Sequence, residues 1–148
     1  MAGPCIAILT QRTLSSTDEK AIRSFIESIS SSMDGDDFWI ANQPFMVRFE
    51  EPEPEARELV LDGWSPGGVV SYCAMCNSDC DHVLLAMLGH RTAQLLDGLI
   101  DLGDISTITD DPSVLTFDGV RPIDGGGYIV RPEFLGYWMS HPEFRLLK

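Results

Sequence analysis

The feature that most constrains this chain is a strand–turn–helix–strand pattern between residues 67 and 103. Residues 69–76 form an apolar run, rich in β-branched and aromatic side chains, that is typical of a buried strand. Turn-forming residues follow, and then a long run with leucines at helical spacing. Gly98 stands where a left-handed residue would close such a helix, and residues 99–103 resume a strand pattern. The predicted centre of the fold is therefore two strands joined by one long helix.

The long helix has a predicted start and a predicted buried side. Asp79 or Asp81 is placed to cap its first turn. The expected buried stripe consists of Leu84, Leu85, Leu88, Thr92, Leu95 and Leu96.

The residues before this unit predict one strand, one helix and a meander. Residues 4–10 read as a first strand, and the spacing of Ser16 and Glu19 predicts the capping box of a helix. Three further strands are expected at residues 38–41, 45–50 and 58–64. They are separated by an acidic turn over residues 33–37 and by a stiff Glu/Pro loop over residues 51–55. The expected apolar face of the helix is formed by Ile22, Phe25, Ile26 and Ile29.

The residues after the central unit complete a single α+β domain over residues 1–148. Strands are expected at residues 114–117 and 128–130, and Pro132 suits the first turn of a short last helix. An apolar piece at residues 144–147 predicts a docked C-terminus. The expected architecture is a mostly antiparallel sheet packed by two main helices and a short C-terminal helix.

Composition limits the classes of partner. The chain has 148 residues, 44% of them hydrophobic, and a net charge of −13. Phosphate backbones would repel such a chain, so we expect a basic protein partner and no nucleic acid. No run reaches the length of a membrane span, and the first ten residues lack a basic leader. Three of the four cysteines fall within eight residues, which favours reduced thiols and a cytoplasmic protein.

The sharpest candidate for chemistry is the series Cys73, Cys76, Cys80 and His82. Thiolates and imidazole are the ligands that Zn²⁺ prefers, so a zinc-binding or cysteine-dependent protein is the alternative function. The odd separation of Cys73 from Cys76 would place them on opposite faces of a strand. We therefore favour buried structural roles for these residues, with Asp81 as a helix cap and His82 bonded to a backbone carbonyl or a carboxylate.

Other motifs give no catalytic signature. The glycines at residues 125–127 precede a strand and lack the lysine of a phosphate-binding loop. Asp110 and Asp111 fit a solvated turn, and no Ser/His/Asp series has a meaningful spacing. We predict no catalytic residue, metal or cofactor.

The negative charge falls into two stretches. Residues 34–62 carry a net charge of −7 and residues 97–124 a net charge of −6, so the remainder is neutral. Such clusters either form a solvated face that favours solubility or capture basic partners and speed their association. We expect the first stretch to form the contact, since its prolines stiffen the loop, whereas Asp101 and Asp104 are placed to serve as caps. The predicted partner-binding residues are Asp34, Asp36, Asp37, Glu50, Glu51, Glu53 and Glu55.

Two blocks of sequence resemble a small bacterial family of unknown function. One runs from Cys76-Asn77 through Asp81-His82 to residues 98–103, and the other is the ending at residues 134–145. The likeness covers the C-terminal half and the Gly3-Pro4 start. Families of this size and style resemble the immunity proteins that are paired with secreted bacterial toxins. The resemblance implies a cytoplasmic inhibitor of a basic toxin domain, and it implies no enzymatic residue.

Overall fold

The sequence folds into one eight-stranded antiparallel sheet with helices, as a computed structural model that describes residues 3–57 and 63–147 shows. The predicted α+β class is confirmed. The strands are β1 (Cys5–Thr10), β2 (Ser32–Asp34), β3 (Asp37–Ile40), β4 (Gln43–Glu50), β5 (Gly68–Ala74), β6 (Leu99–Asp101), β7 (Val120–Pro122) and β8 (Tyr128–Val130). The helices are α1 (Ser16–Ile29), α2 (Pro54–Arg57), α3 (Asp79–Leu96), α4 (Pro112–Leu115) and α5 (Pro132–Met139), with a 3₁₀ turn at Ile105–Thr107.

The predicted central unit is present, with one strand inserted into it. The strand order is β2-β3-β4-β5-β1-β6-β8-β7, so β1 lies between β5 and β6 and pairs with both in antiparallel fashion. The strands joined by α3 are therefore parallel to each other without touching, as in a split β-α-β unit. At Gly89, an added Cβ would lie 2.6 Å from Cδ1 of Ile6, which shows how closely α3 approaches β1.

The core lies between the sheet and the helices. Alternate strand residues point to this side, as the period of two requires. On the opposite side, which we call the open face, a smaller cluster forms where Leu9 and Ile129 pack with Val69 and Leu99. The fully buried large side chains of the core include Ile6, Ile8, Ile22, Ile26, Phe38, Phe45, Tyr72, Leu85, Leu88, Ile100, Phe134 and Trp138.

The residues that cap the two long helices, α1 and α3, are not the predicted ones. Ser15, not Ser16, caps α1, and its box partner is Asp18. Ser78 caps α3, and Asp81 completes the box by accepting a hydrogen bond from the Ser78 amide at 2.6 Å. A serine with an aspartate three residues later satisfies two helix-end amides at once, which explains why serine takes the cap.

The buried stripe of α3 is narrower than predicted. Leu85, Leu88 and Leu96 are buried, but Leu95 is 43% exposed. Thr92 is buried with them because its hydroxyl shares a 2.7 Å hydrogen bond with the Tyr72 hydroxyl of β5. Burial raises the pKa of Tyr72 to about 12.

The end of α3 corrects the role expected of Gly98. Asp97 takes the left-handed conformation, with φ of 51°. Gly98 is needed for a close approach instead, since a Cβ there would lie 2.8 Å from the carbonyl oxygen of Leu9.

Three other predictions differ from the structure or fall outside it. The turn expected at residues 33–37 is shorter, because Met33, Asp34 and Asp37 already belong to the paired strands β2 and β3. Residues 114–117 were expected to form a strand, but α4 ends there, because the Asp111 side chain caps it and Pro112 occupies its first turn. Most of the strand expected at residues 58–64 lies outside the described residues.

The C-terminal segment is docked, as predicted. The indole Nε1 of Trp138 donates to the carbonyl of Arg145 at 3.0 Å. The Leu146 amide donates to Nδ1 of His82 at 3.0 Å, and the Cys5 amide donates to the carbonyl of Leu147 at 3.2 Å. The segment thus ties the start of α3 to the start of β1.

Candidate functional site

The cysteines are arranged differently from the prediction of four reduced thiols. Cys5 and Cys73 form a disulfide between β1 and β5, with their Cα atoms 4.2 Å apart. They are register partners, and the Cys5 amide bonds away from β5 to Leu147, so the two side chains meet at a narrow, non-hydrogen-bonded position. The partners are 68 residues apart, and nothing in their spacing indicates the pairing.

The structure does not bring Cys73, Cys76, Cys80 and His82 together as ligands. Cys73 is engaged by Cys5, while Cys76 and Cys80 are exposed thiols. Both ring nitrogens of the buried His82 are occupied, Nε2 by the side-chain oxygen of Asn77 at 3.1 Å and Nδ1 by the Leu146 amide. Over residues 3–57 and 63–147, no group of three His, Cys, Asp or Glu residues is placed to hold a metal ion.

The hydrogen bonds of His82 refine the structural role expected for it. Its predicted partner was a carbonyl or carboxylate, whereas Nδ1 accepts from a backbone amide. A ring nitrogen that accepts carries no proton, so Nε2 bears the hydrogen that is donated to Asn77. The imidazole therefore links the start of α3 to the C-terminal segment.

One polar cluster joins residues whose spacing in the sequence gave no signal. Nε2 of His141 lies 2.8 Å from Oδ2 of Asp111, and Oδ1 of Asp111 accepts hydrogen bonds from the amide and the hydroxyl of Ser113. The Ser113 hydroxyl also bonds to the Tyr137 hydroxyl at 2.8 Å. The hydrogen bond from His141 holds the pKa of Asp111 at about 2, well below its usual range.

This cluster has the residue types of a catalytic triad without its connections. The serine bonds to the carboxylate rather than to the imidazole, whose Nδ1 accepts the Glu143 amide at 3.1 Å. No nucleophile–base pair is formed, so the cluster caps α4 and joins it to the C-terminal segment. A sequence signal for the cap exists in the order Asp111-Pro112-Ser113.

The open face carries a trough across the two central strands. Its floor consists of the small side chains of Ala7 and Ser71 together with the disulfide. Met46 and Arg48 form one wall. The cavity measures about 400 Å³. Asp101, Leu102, Gly103 and Leu147 line its other side.

One register row of the open face runs from a cation to a carboxylate. Arg48 pairs with Ser71, Ser71 with Ala7, and Ala7 with Asp101, so the ends are three strand spacings or about 14 Å apart. Burial raises the pKa of Asp101, against the hydrogen bond that its Oδ1 accepts from the Gly103 amide at 2.8 Å.

The seven predicted partner-binding acids are all exposed and lie at two neighbouring sites. Asp34, Asp36 and Asp37 surround the β2–β3 turn, where the Val47 amide of β4 donates to the Asp36 carbonyl at 2.9 Å. The other four acids lie at the end of β4 and in the loop after it. The first of them is three residues beyond Val47, or about 10 Å along the strand. They are Glu50, Glu51, Glu53 and Glu55. We call these seven residues the acidic edge.

Two members of the acidic edge are neutralised by ion pairs inside the chain. Arg23 of α1 binds Asp36 at 2.7 Å and stacks over the Phe49 ring, and Arg57 binds Glu51 at 2.7 Å. Among the described residues, no ion pair reaches the other five acids. No member of the acidic edge accepts a backbone amide hydrogen bond within this part of the chain.

Four of the seven acids of residues 97–124 have other surroundings, while Asp110, Asp118 and Asp124 are exposed. Asp101, Asp104 and Asp111 each accept a hydrogen bond from the backbone amide two residues later. Asp97 holds the left-handed position at the end of α3. The caps expected of Asp101 and Asp104 are therefore present as turn and 3₁₀-helix contacts.

None of the described helices is long and apolar enough to pass through a membrane.

Comparison with known proteins gives one match. No curated protein and no solved structure matches the chain. The model of an uncharacterised family matches residues 2–148, nearly the whole sequence. The chain therefore belongs to a family of unknown function, DUF6368.

Proposed function

We propose that this protein is a binding protein of the immunity type, which neutralises a basic bacterial toxin domain through the acidic edge. The observation that carries the proposal is that most carboxylates of the acidic edge are exposed and unpaired within the described part of the chain. Five exposed acids of the edge have no ion-pair partner within the described residues, whereas Asp36 and Glu51 are paired with Arg23 and Arg57. Concentrated exposed carboxylates attract a basic surface and raise its rate of association.

The loop of the acidic edge is held before any partner arrives. Pro54–Arg57 forms one helical turn, and Nε of Arg57 donates to the carbonyl of Pro52 at 2.9 Å. The Arg57–Glu51 ion pair closes the same loop. A loop that is already ordered loses less conformational entropy on binding, which favours Glu53 and Glu55 as contact residues.

The orientation of the strands supports an approach of the partner from the open face. Asp37 pairs with Met46, and Glu50 follows Met46 at an even spacing, so both acids lie on the side of the trough. Asp34 pairs with Asp37 and shares this side. A basic partner seated here would cover the end of the sheet from β2 to β5.

The proposal includes a cytoplasmic location, which can be tested by whether the disulfide is reduced in cells. Reducing conditions keep cytoplasmic thiols reduced. The register of β1 with β5 extends over six residue pairs, so we expect the sheet to persist when Cys5 and Cys73 are thiols. The measurement is the mass of alkylated protein from cells lysed into alkylating agent, in which a cytoplasmic pool should be labelled at both cysteines.

The direct test is capture of a partner. The chain is co-expressed with the product of the neighbouring gene, purified through a tag on the chain, and analysed for a bound protein. We expect a basic partner in a stable complex, and protection of cells from that partner's toxicity. A neighbouring product that neither binds nor harms cells would refute the proposal.

A matched pair of variants tests the location of the contact. Glu51→Lys with Glu53→Lys and Glu55→Lys should slow association about tenfold or more at low salt and reduce its salt dependence. The control is Asp110→Lys with Asp118→Lys and Asp124→Lys, which changes net charge equally at exposed acids outside the edge. Association measured by stopped flow should separate the two, and equal slowing would show that only net charge matters.

A further inference from the structure

A second cavity lies on the helix side of the molecule, away from the open face. It measures about 450 Å³ and lies between α1, α3 and α5, beside β3. This volume falls within the range of small-molecule sites, about 300–1,000 Å³. Its apolar lining includes Phe25, Ile29, Ile40, Leu84, Met87 and Met139.

The mouth of this cavity exposes apolar side chains that the fold leaves uncovered. Ile29 is 43% exposed and Met87 is 55% exposed, the latter being the most exposed of the large hydrophobic side chains among the described residues. Gly136 of α5 lines the cavity and has room for a side chain, because a Cβ added there would meet no atom within 4 Å. Packing within the described chain therefore leaves a gap between helices rather than a closed core.

The charge at the cavity is opposite to that of the chain. Arg91 and His90 are the lining residues that can carry charge, and both are basic, whereas the chain as a whole carries −13. Arg91 is exposed, and no carboxylate of the described residues pairs with it. A cavity with a carbon lining and a guanidinium at its rim fits a ligand with an apolar body and an anionic end.

We propose that this cavity binds a single-chain carboxylate amphiphile of the fatty-acid class, with its chain between the helices and its carboxylate at Arg91. This site is separate from the acidic edge and does not depend on the proposed function. A second copy of the chain is a poorer occupant, because two chains of charge −13 repel each other. A basic partner of the acidic edge is a poorer occupant as well, since it would meet Arg91.

The test is a calorimetric titration of the full chain with dodecanoate and, in parallel, with dodecanol. We expect saturable binding of one dodecanoate per chain that weakens with salt, and binding of the uncharged alcohol about tenfold weaker. Arg91→Gln should reduce dodecanoate affinity to the level of the alcohol. Arg48→Gln, which removes an exposed arginine from the open face, should leave it unchanged.

Two further variants address the cavity itself. Gly136→Leu places a side chain in the gap and should abolish binding of both ligands. Met87→Glu leaves the core intact, since Met87 is mostly exposed, and should repel dodecanoate more than dodecanol.

Three outcomes would overturn the proposal. They are the absence of saturable dodecanoate binding to the wild-type chain, equal affinity for the two ligands, and dodecanoate binding that survives both Gly136→Leu and Met87→Glu. A wild-type dimer in light scattering that Gly136→Leu converts to a monomer would assign the cavity to a second copy instead.

Discussion

The two acidic stretches of this chain carry nearly equal charge and do different things. Each contributes seven acids to the described residues. In the second stretch, Asp101, Asp104 and Asp111 bind backbone amides and build turns. Among the described carboxylates of the first stretch, which are those of the acidic edge, none binds a described backbone amide. Charge density alone therefore does not show which carboxylates bind the backbone and which are left exposed.

What distinguishes the stretches is local spacing. Asp104 and Asp111 each precede a serine by two residues, and Asp101 precedes Gly103 by two. An aspartate at this spacing bonds to the amide two residues on and stabilises a turn. The glutamates at residues 50–55 have a longer side chain and lie beside prolines, so this local bond is not formed. The following predictions test whether one stretch stabilises the fold while the other is free for a partner.

Asp111→Ala should give the largest loss of stability among single substitutions of these acids. It removes the cap of α4 and the hydrogen bond with His141 together. The neighbouring Asp110 is exposed, and no hydrogen bond to its side chain is seen within the described residues. The thermal unfolding midpoint should fall clearly for Asp111→Ala and stay unchanged for Asp110→Ala. Equal midpoints for the two variants would contradict a structural role for the second stretch.

The acid dependence of stability gives the next largest effect. The pKa of Asp111 is lowered from 3.8 to about 2 in the folded protein by its hydrogen bond with His141. Its contribution to stability is therefore complete above pH 3.8 and is lost as the pH falls toward 2. Denaturant midpoints measured across this window should fall less steeply for Asp111→Asn than for the wild type. Parallel curves would show that the carboxylate is not stabilised by folding.

Asp101→Asn should have a smaller effect of the opposite sign. Burial raises the pKa of Asp101, so its ionised form costs stability at neutral pH. Asparagine keeps an oxygen that can accept the Gly103 amide but carries no charge. The variant should be more stable than the wild type at neutral pH, and the gain should fade as the pH falls through the raised pKa toward the unfolded value, where Asp101 itself becomes neutral. A loss of stability at neutral pH would mean that the open-face trough stabilises this charge.

The sequence predicted the parts of the fold that repeat a clear period. The helical spacing that contains Ile22 and Ile26 located α1, and the run before Asn77 located β5. Cap positions moved by a residue because serine and aspartate at neighbouring positions compete for the same amides. The strand expected at residues 114–117 was wrong because a capped proline outweighs the β-propensity of Val114 and Phe117.

The sites were less predictable because they depend on pairing across the sheet. The disulfide requires β1 to lie beside β5 in one register, and no local pattern contains that information. The helix-side cavity depends on how α1, α3 and α5 pack against one another, which no local sequence pattern contains. The exposed acids of the edge were predictable, since charge and prolines are local properties, but their ion pairs with Arg23 and Arg57 were not.

The smallest effect on stability is expected from the removal of four negative charges at once. Asp34→Asn, Asp37→Asn, Glu53→Gln and Glu55→Gln together remove four exposed acids that have no ion pair within the described residues. Exposed charges of this kind contribute little to folding, and relief of mutual repulsion offsets any loss, so the free energy of unfolding should change by less than about 0.5 kcal/mol. Denaturant unfolding at neutral pH measures it, with Asp111→Ala as the destabilised reference. If four neutral substitutions in the acidic edge cost more stability than that one alanine, the edge serves the fold, and its carboxylates are not free for a partner.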